Sequence, residues 1–113
     1  MKHIPKSQSK KHTNGPGCTV FEYGGDEEID GAVAVINGRY PQHDYVLNER
    51  SREMVYVISG KGILGTKTET TPLQPGDVVL VPDGEAYYFE GQDLHMFLAC
   101  TPPFKPDQHL EIK

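Results

Sequence analysis

Residues 45–62 read YVLNERSREMVYVISGKG. Within EMVYVIS the alternation places Glu53, Val55 and Val57 on one face and Met54, Tyr56 and Ile58 on the other. Apart from Glu53 both faces are apolar, so the segment reads as a strand covered on both sides. It belongs either between two packed layers or in a barrel whose outer face meets a second subunit. A carboxyl group on the inner face has to be paired, hydrogen-bonded or protonated. Two readings of Glu53 therefore stand side by side: a structural acceptor for Asn48 or Tyr87, or a raised-pKa acid or base acting on a bound small molecule.

Outward from this stretch, short apolar segments alternate with turn signals. CTVFEY, GAVAVIN, DYVLN, GILGT, TTPL, DVVLVP, AYYFE and LHMFLACT read as further strands, and SGKG, QPGD, PDGE and EGQD as the turns between them. No segment sustains a helical period for the ten or more residues a helix needs, so the fold class is all-β, a sandwich or barrel rather than βαβ units. At 113 residues the chain suffices for one domain. Residues 1–14 are expected to be a disordered basic tail and residues 15–113 the single β-domain.

Charge narrows the partners. Of eleven basic side chains, four lie in the first dozen residues, which leaves seven against sixteen acids in the body. An acidic body argues against nucleic acid, which calls for a basic surface facing phosphates. The first residues, MKHIPKSQSKK, lack the apolar core of a signal peptide, and the longest apolar runs, residues 32–36 and 78–81, are too short to cross a bilayer. The expectation is a soluble, cytoplasmic protein with no membrane partner. Cys18 and Cys100 form neither a disulfide framework nor a zinc spacing and read as free thiols.

The run QPGDVVLVPDGEAYYF, residues 74–89, resembles the second motif of the cupins: Gly76, five residues, then Pro82 and Gly84 around one residue. EMVYVISG resembles the end of their first motif, with Glu53 followed seven residues later by Gly60. The resemblance spans roughly residues 30–104 and implies a cupin-type double-stranded β-helix, the jelly-roll barrel. Metal-binding cupins carry two histidines one residue apart, then the Glu, then a third histidine shortly after the second motif's final Gly. Here the first two positions fall on Val46 and Asn48, or in the alternative register on Leu47 and Glu49, and the third falls on Tyr87; the Asn that often closes the second motif is Gly91. Of the family's ligands Glu53 alone is present.

What the resemblance implies for the site follows from these positions. Glu53 and Tyr87 are the candidate catalytic residues, and Asn48, Glu53, Tyr87 and Phe89 the candidate ligand-binding set. Arg50 and Arg52, in the ERSR loop near the barrel mouth, are added either as contacts for a carboxylate or phosphate or as a solvated turn. A divalent transition metal is left open as cofactor, with His43, Glu49 and Glu53 as substitute ligands; the plainer reading of His43 is a loop residue. His95 and His109 are open in orientation. The expected function is binding of a small molecule in the barrel with the metal site absent or unorthodox. The alternative is a cupin enzyme: a metal-dependent dioxygenase or isomerase with substitute ligands, or a metal-free lyase or isomerase using Glu53 and Tyr87. A homodimer is expected from the apolar outer face of residues 54–58.

Overall fold

Glycine or a glycine-like turn conformation interrupts each of the three longest strands, and the sheet bends there. The computed structural model describes residues 1–113. Its long strands are β3 (Asp30–Tyr40), β5 (Arg52–Thr66) and β8 (Tyr87–Thr101), all joined in antiparallel pairs through β8. Register shifts fall between Ile36 and Gly38 on β3, and between Val57, Ser59 and Lys61 on β5. Gly38, Gly60 and Asp93 adopt positive φ at these places, at 104°, 83° and 49°. SGKG and EGQD, expected from sequence to be turns, are instead bends inside continuous strands. Both strands bend at the same level, so pairing resumes on either side.

The remaining strands complete the curl. β2 (Cys18–Gly25) pairs with β3, while β6 (Thr70–Leu73) and β7 (Val78–Val81) pair with the two halves of β5. β4 (Tyr45–Asn48) lies between β8 and β9 (His109–Ile112). The result is the all-β jelly-roll barrel that the resemblance implies, and it has no helix long and apolar enough to cross a membrane.

The core is the inner face of these strands. Val55 and Val57 on β5, Leu94 and Met96 on β8, Ile36 on β3 and Val46 on β4 are almost fully buried. In β5 the alternation is the one read from sequence: Glu53, Val55 and Val57 point inward, and Met54, Tyr56 and Ile58 each remain 48% exposed. The first residues differ from expectation. Lys10–Thr13 form β1, paired with the outer edge of β2 from Lys10 opposite Glu22 to Thr13 opposite Thr19, so the expected disordered tail does not describe them. An unpaired β2 edge offers backbone hydrogen bonds that a polar segment can take up whatever its side chains.

A Cβ at Gly60 would be driven into the backbone carbonyl of Asp93, whereas one at Gly76, also at positive φ, would meet nothing. Gly60→Ala therefore combines conformational strain with overpacking and is expected to destabilise by about 3 kcal/mol or more. Gly76→Ala carries the strain alone, about 1 kcal/mol. Denaturant melts of the two variants check the difference, and equal losses would remove the role assigned to Gly60.

Candidate active site

Glu53 stands on the inner face of β5, opposite Cys100 on β8 and Val81 on β7, and is 5% exposed. Its Oε1 accepts a hydrogen bond from Asn48 Nδ2 at 2.9 Å. Oε2 is buried with no hydrogen-bond partner, and the Cys100 thiol, a weak donor, lies alongside without satisfying it. Burial raises the Glu53 carboxyl above its ordinary range, and the Asn48 hydrogen bond offsets this only in part. One Glu53 oxygen thus has the structural hydrogen bond that the sequence offered as a reading, and the other is left without a partner.

A cavity of about 140 Å³ opens along this inner face, with Tyr40, Glu53, Tyr87, Phe89 and His109 in its wall. Tyr87 and Phe89 meet edge to face, ring centroids 5.6 Å apart. Asp30, opposite Cys100 on β3, brings a second carboxyl to the wall. It accepts a hydrogen bond from the backbone N–H of Phe104 at 3.1 Å, and burial raises its pKa. No Lys or Arg lines the cavity.

Asn48 ties this wall to the chain's last segment. In register β4 places Asn48 opposite His109, and Asn48 Oδ1 meets His109 Nδ1 at 2.8 Å and Gln108 Nε2 at 3.3 Å. His109 Nε2 lies 2.7 Å from the Tyr40 hydroxyl. Gln108 is 1% exposed, and its Oε1 accepts the backbone N–H groups of Arg50 and Ser51 at 2.9 and 3.0 Å. Burial lowers the His109 pKa, so the ring is neutral near pH 7, and burial also holds the Tyr40 hydroxyl well above its ordinary range.

The structure brings Glu53, Tyr87 and Phe89 together in the cavity wall, with Asn48 hydrogen-bonded to Glu53 from outside the lining. It does not bring the arginines there. Arg50 points outward to Asp107 at 2.9 Å, with both side chains more than half exposed, and Arg52 is exposed on β5; Ser51 is the buried member of the ERSR loop. A loop that must fold back under the barrel turns its smallest polar residue inward. His95 points outward, 3.1 Å from Asp93. Tyr40 and His109 were missed as a pair because 69 residues separate them in sequence.

The substitute metal set is also not assembled. His43 and Glu49 are exposed while Glu53 is buried, and no three His, Cys, Asp or Glu side chains form a metal-binding group. The donors at the family's ligand positions do not fit such an ion either. Asn48 spends both faces of its amide on Glu53, Gln108 and His109, and burial raises the pKa of the Tyr87 hydroxyl well above its ordinary value, which keeps it protonated.

A protein-family model described as a Cupin domain matches residues 35–99. Among solved structures, Pac13, described as a unique nucleoside dehydratase, superposes with a TM-score of 0.87 at 20% identity, over 100% of this chain and 92% of that one. A variant of Pac13 from Streptomyces solved with uridine gives 0.86 at 22% identity, with 100% and 92% covered. The polyketide cyclase RemF from Streptomyces resistomycificus gives 0.76 at 18%, over 100% and 86%. At these identities the likeness is one of fold. No curated protein matches the chain.

Gln108 is the brace of the polar wall. Gln108→Ala removes the acceptor of two backbone N–H groups and one donor to Asn48, and is expected to destabilise by about 2–4 kcal/mol. Chemical denaturation checks this, and a loss below about 1 kcal/mol would show that water replaces the amide without difficulty.

Proposed function

This chain belongs to the cupin family, and on that premise we propose that its barrel binds a small molecule and acts on it by metal-free proton transfer, with Glu53 as the acid. The observation that carries this reading is the buried, unpartnered Glu53 Oε2 in the cavity wall. A carboxyl whose pKa is raised by burial keeps its proton to higher pH than an ordinary carboxyl and can deliver it to a leaving oxygen. Tyr87 and Phe89 supply the apolar wall against which a small ring would pack. The donor set argues against a metal taking this role, because Asn48 and Tyr87 are both engaged or protonated. Likeness in fold to a nucleoside dehydratase supports lyase chemistry on a hydroxylated substrate, the metal-free alternative read from Glu53 and Tyr87.

The test is Glu53→Gln. The raised pKa means that below the ordinary value of 4.5 both folded and unfolded chains hold the proton and Glu53 contributes no pH dependence. Above it the unfolded chain ionises while the folded one does not, so the wild type loses about 1.4 kcal/mol per pH unit until the folded pKa is passed. Glu53→Gln lacks this loss, and its stability relative to wild type is expected to grow as pH rises through that window. In a thermal-shift screen starting with uridine and other hydroxylated compounds, hits are expected with wild type and none with the variant. A destabilised variant with an unchanged ligand response would defeat the assignment.

We further propose that the barrel works as a homodimer. Met54, Tyr56 and Ile58 on β5, Val78 and Leu80 on β7 and Phe97 on β8 are 41–58% exposed on one sheet face. They are cross-strand neighbours, Met54 opposite Leu80 and Tyr56 opposite both Val78 and Phe97. A contiguous apolar face of this kind is suited to a second copy. Light scattering at micromolar concentration is expected to give the mass of two chains, and Tyr56→Lys the mass of one. A wild-type mass of one chain would contradict the proposal.

A further inference from the structure

We propose that Tyr40 and His109 form the proton-accepting pair of the cavity, and that Gln108 is the positioning residue that sets its direction. This rests on the reading of the barrel as a site of proton transfer and adds the partner that Glu53 as acid requires.

The direction follows from groups whose roles are unambiguous. The backbone N–H groups of Arg50 and Ser51 can only donate, so the Gln108 atom they meet is its oxygen, and its Nε2 faces Asn48 as a donor. Asn48 therefore turns Oδ1 toward Gln108 and His109, and its own Nδ2 toward Glu53 Oε1. His109 Nδ1, 2.8 Å from that oxygen, carries the ring's hydrogen. Nε2 is left as a lone pair, and the Tyr40 hydroxyl donates to it across 2.7 Å. Two backbone amides at the far side of the wall thus dictate which ring nitrogen is basic. Nothing else around the ring competes for this role: Phe104 meets it edge to face, and Glu111 on β9 acts on it only through its charge.

With its hydrogen committed to His109, the Tyr40 oxygen presents lone pairs to the cavity. The substrate atom it meets must carry a hydrogen, which selects a hydroxyl or an N–H. The absence of Lys and Arg from the wall leaves no cation to pair with a phosphate or carboxylate, so the substrate class is an uncharged hydroxylated molecule. In the reaction the substrate's proton passes to the Tyr40 oxygen as the Tyr40 proton passes to His109 Nε2. The electron pair left on that oxygen or nitrogen forms a double bond to its own carbon and expels the hydroxyl on the same carbon, which Glu53 protonates to water, so the reacting group is a carbonyl hydrate or a carbinolamine. Imidazolium and Glu53 carboxylate then return to their starting states by exchange with solvent. The two transfers at Tyr40 are concerted, since burial disfavours a free phenolate.

Long-range proton–nitrogen NMR of the full chain with 15N-labelled histidine reads this directly, without any ligand. At pH 7 His109 is expected in the neutral tautomer bearing hydrogen on Nδ1, whereas free histidine favours Nε2. Y40F should leave that tautomer in place. Q108E, which keeps an acceptor for the two amides and removes the donor to Asn48, should shift His109 toward imidazolium or the other tautomer. Hydrogen on Nε2 in the wild type, or an unchanged His109 spectrum in Q108E, overturns the proposal. If Q108E does not fold, the wild-type spectrum alone decides the direction. An Nδ1–H tautomer together with a failed ligand screen would leave the pair intact and sink the reading of Glu53 instead.

Discussion

The strand alternation of β5 forces a carboxyl group into a barrel lined mostly by apolar side chains, and the polar interior is organised around that constraint. Glu53 faces inward because Val55 and Val57 do, and a slip of one residue would bury Met54, Tyr56 and Ile58 in their place. The bend at Gly60, where only a glycine fits against the Asp93 carbonyl, pins the register. Once inside, the carboxyl needs a donor, and Asn48 at the end of β4 supplies it for one oxygen. Asn48 in turn needs partners for its other face and finds them in Gln108 and His109. The chain's last strand is therefore held to the barrel by side-chain hydrogen bonds as well as by its pairing with β4.

This arrangement explains how a cupin barrel can keep the geometry of a ligand wall while its donors change. By the resemblance, Tyr87 and, in one of its two registers, Asn48 fall where the family's metal-binding members carry imidazoles, and both are drawn into the interior's own hydrogen bonding and burial. What remains is a cavity with carboxyls, phenols and one neutral imidazole, and without a cation to balance negative charge.

The fold was legible because it rests on local signals. Alternation over residues 53–58 gave the correct inner and outer faces, and the glycine spacing of the two motifs marked Gly60 and Gly76, both at positive φ. SGKG and EGQD misled because a glycine at positive φ bends a paired strand as readily as it reverses an unpaired one, and only the partner decides which. Of the site, Glu53, Tyr87 and Phe89 follow from alternation and motif position. Tyr40, Gln108 and His109 do not, since their roles arise from β4 pairing with β9 across 61 residues between Asn48 and His109. Arg50 and Arg52 were attractive as charges near a barrel mouth. Solvation keeps such side chains outside, and the short Ser51 turns in.

The central claim is that burial in the barrel raises the Glu53 pKa, so that it keeps its proton where an ordinary carboxyl has lost it, and the most direct measurement is a carbon-13 NMR titration of its side-chain carboxyl carbon, assigned by comparison with Glu53→Gln. The account predicts a midpoint clearly above the ordinary value of 4.5, with the protonated-form chemical shift persisting above that pH. A midpoint at or below 4.5 would mean that the folded barrel stabilises the carboxylate, and the assignment of Glu53 as the proton donor would be contradicted.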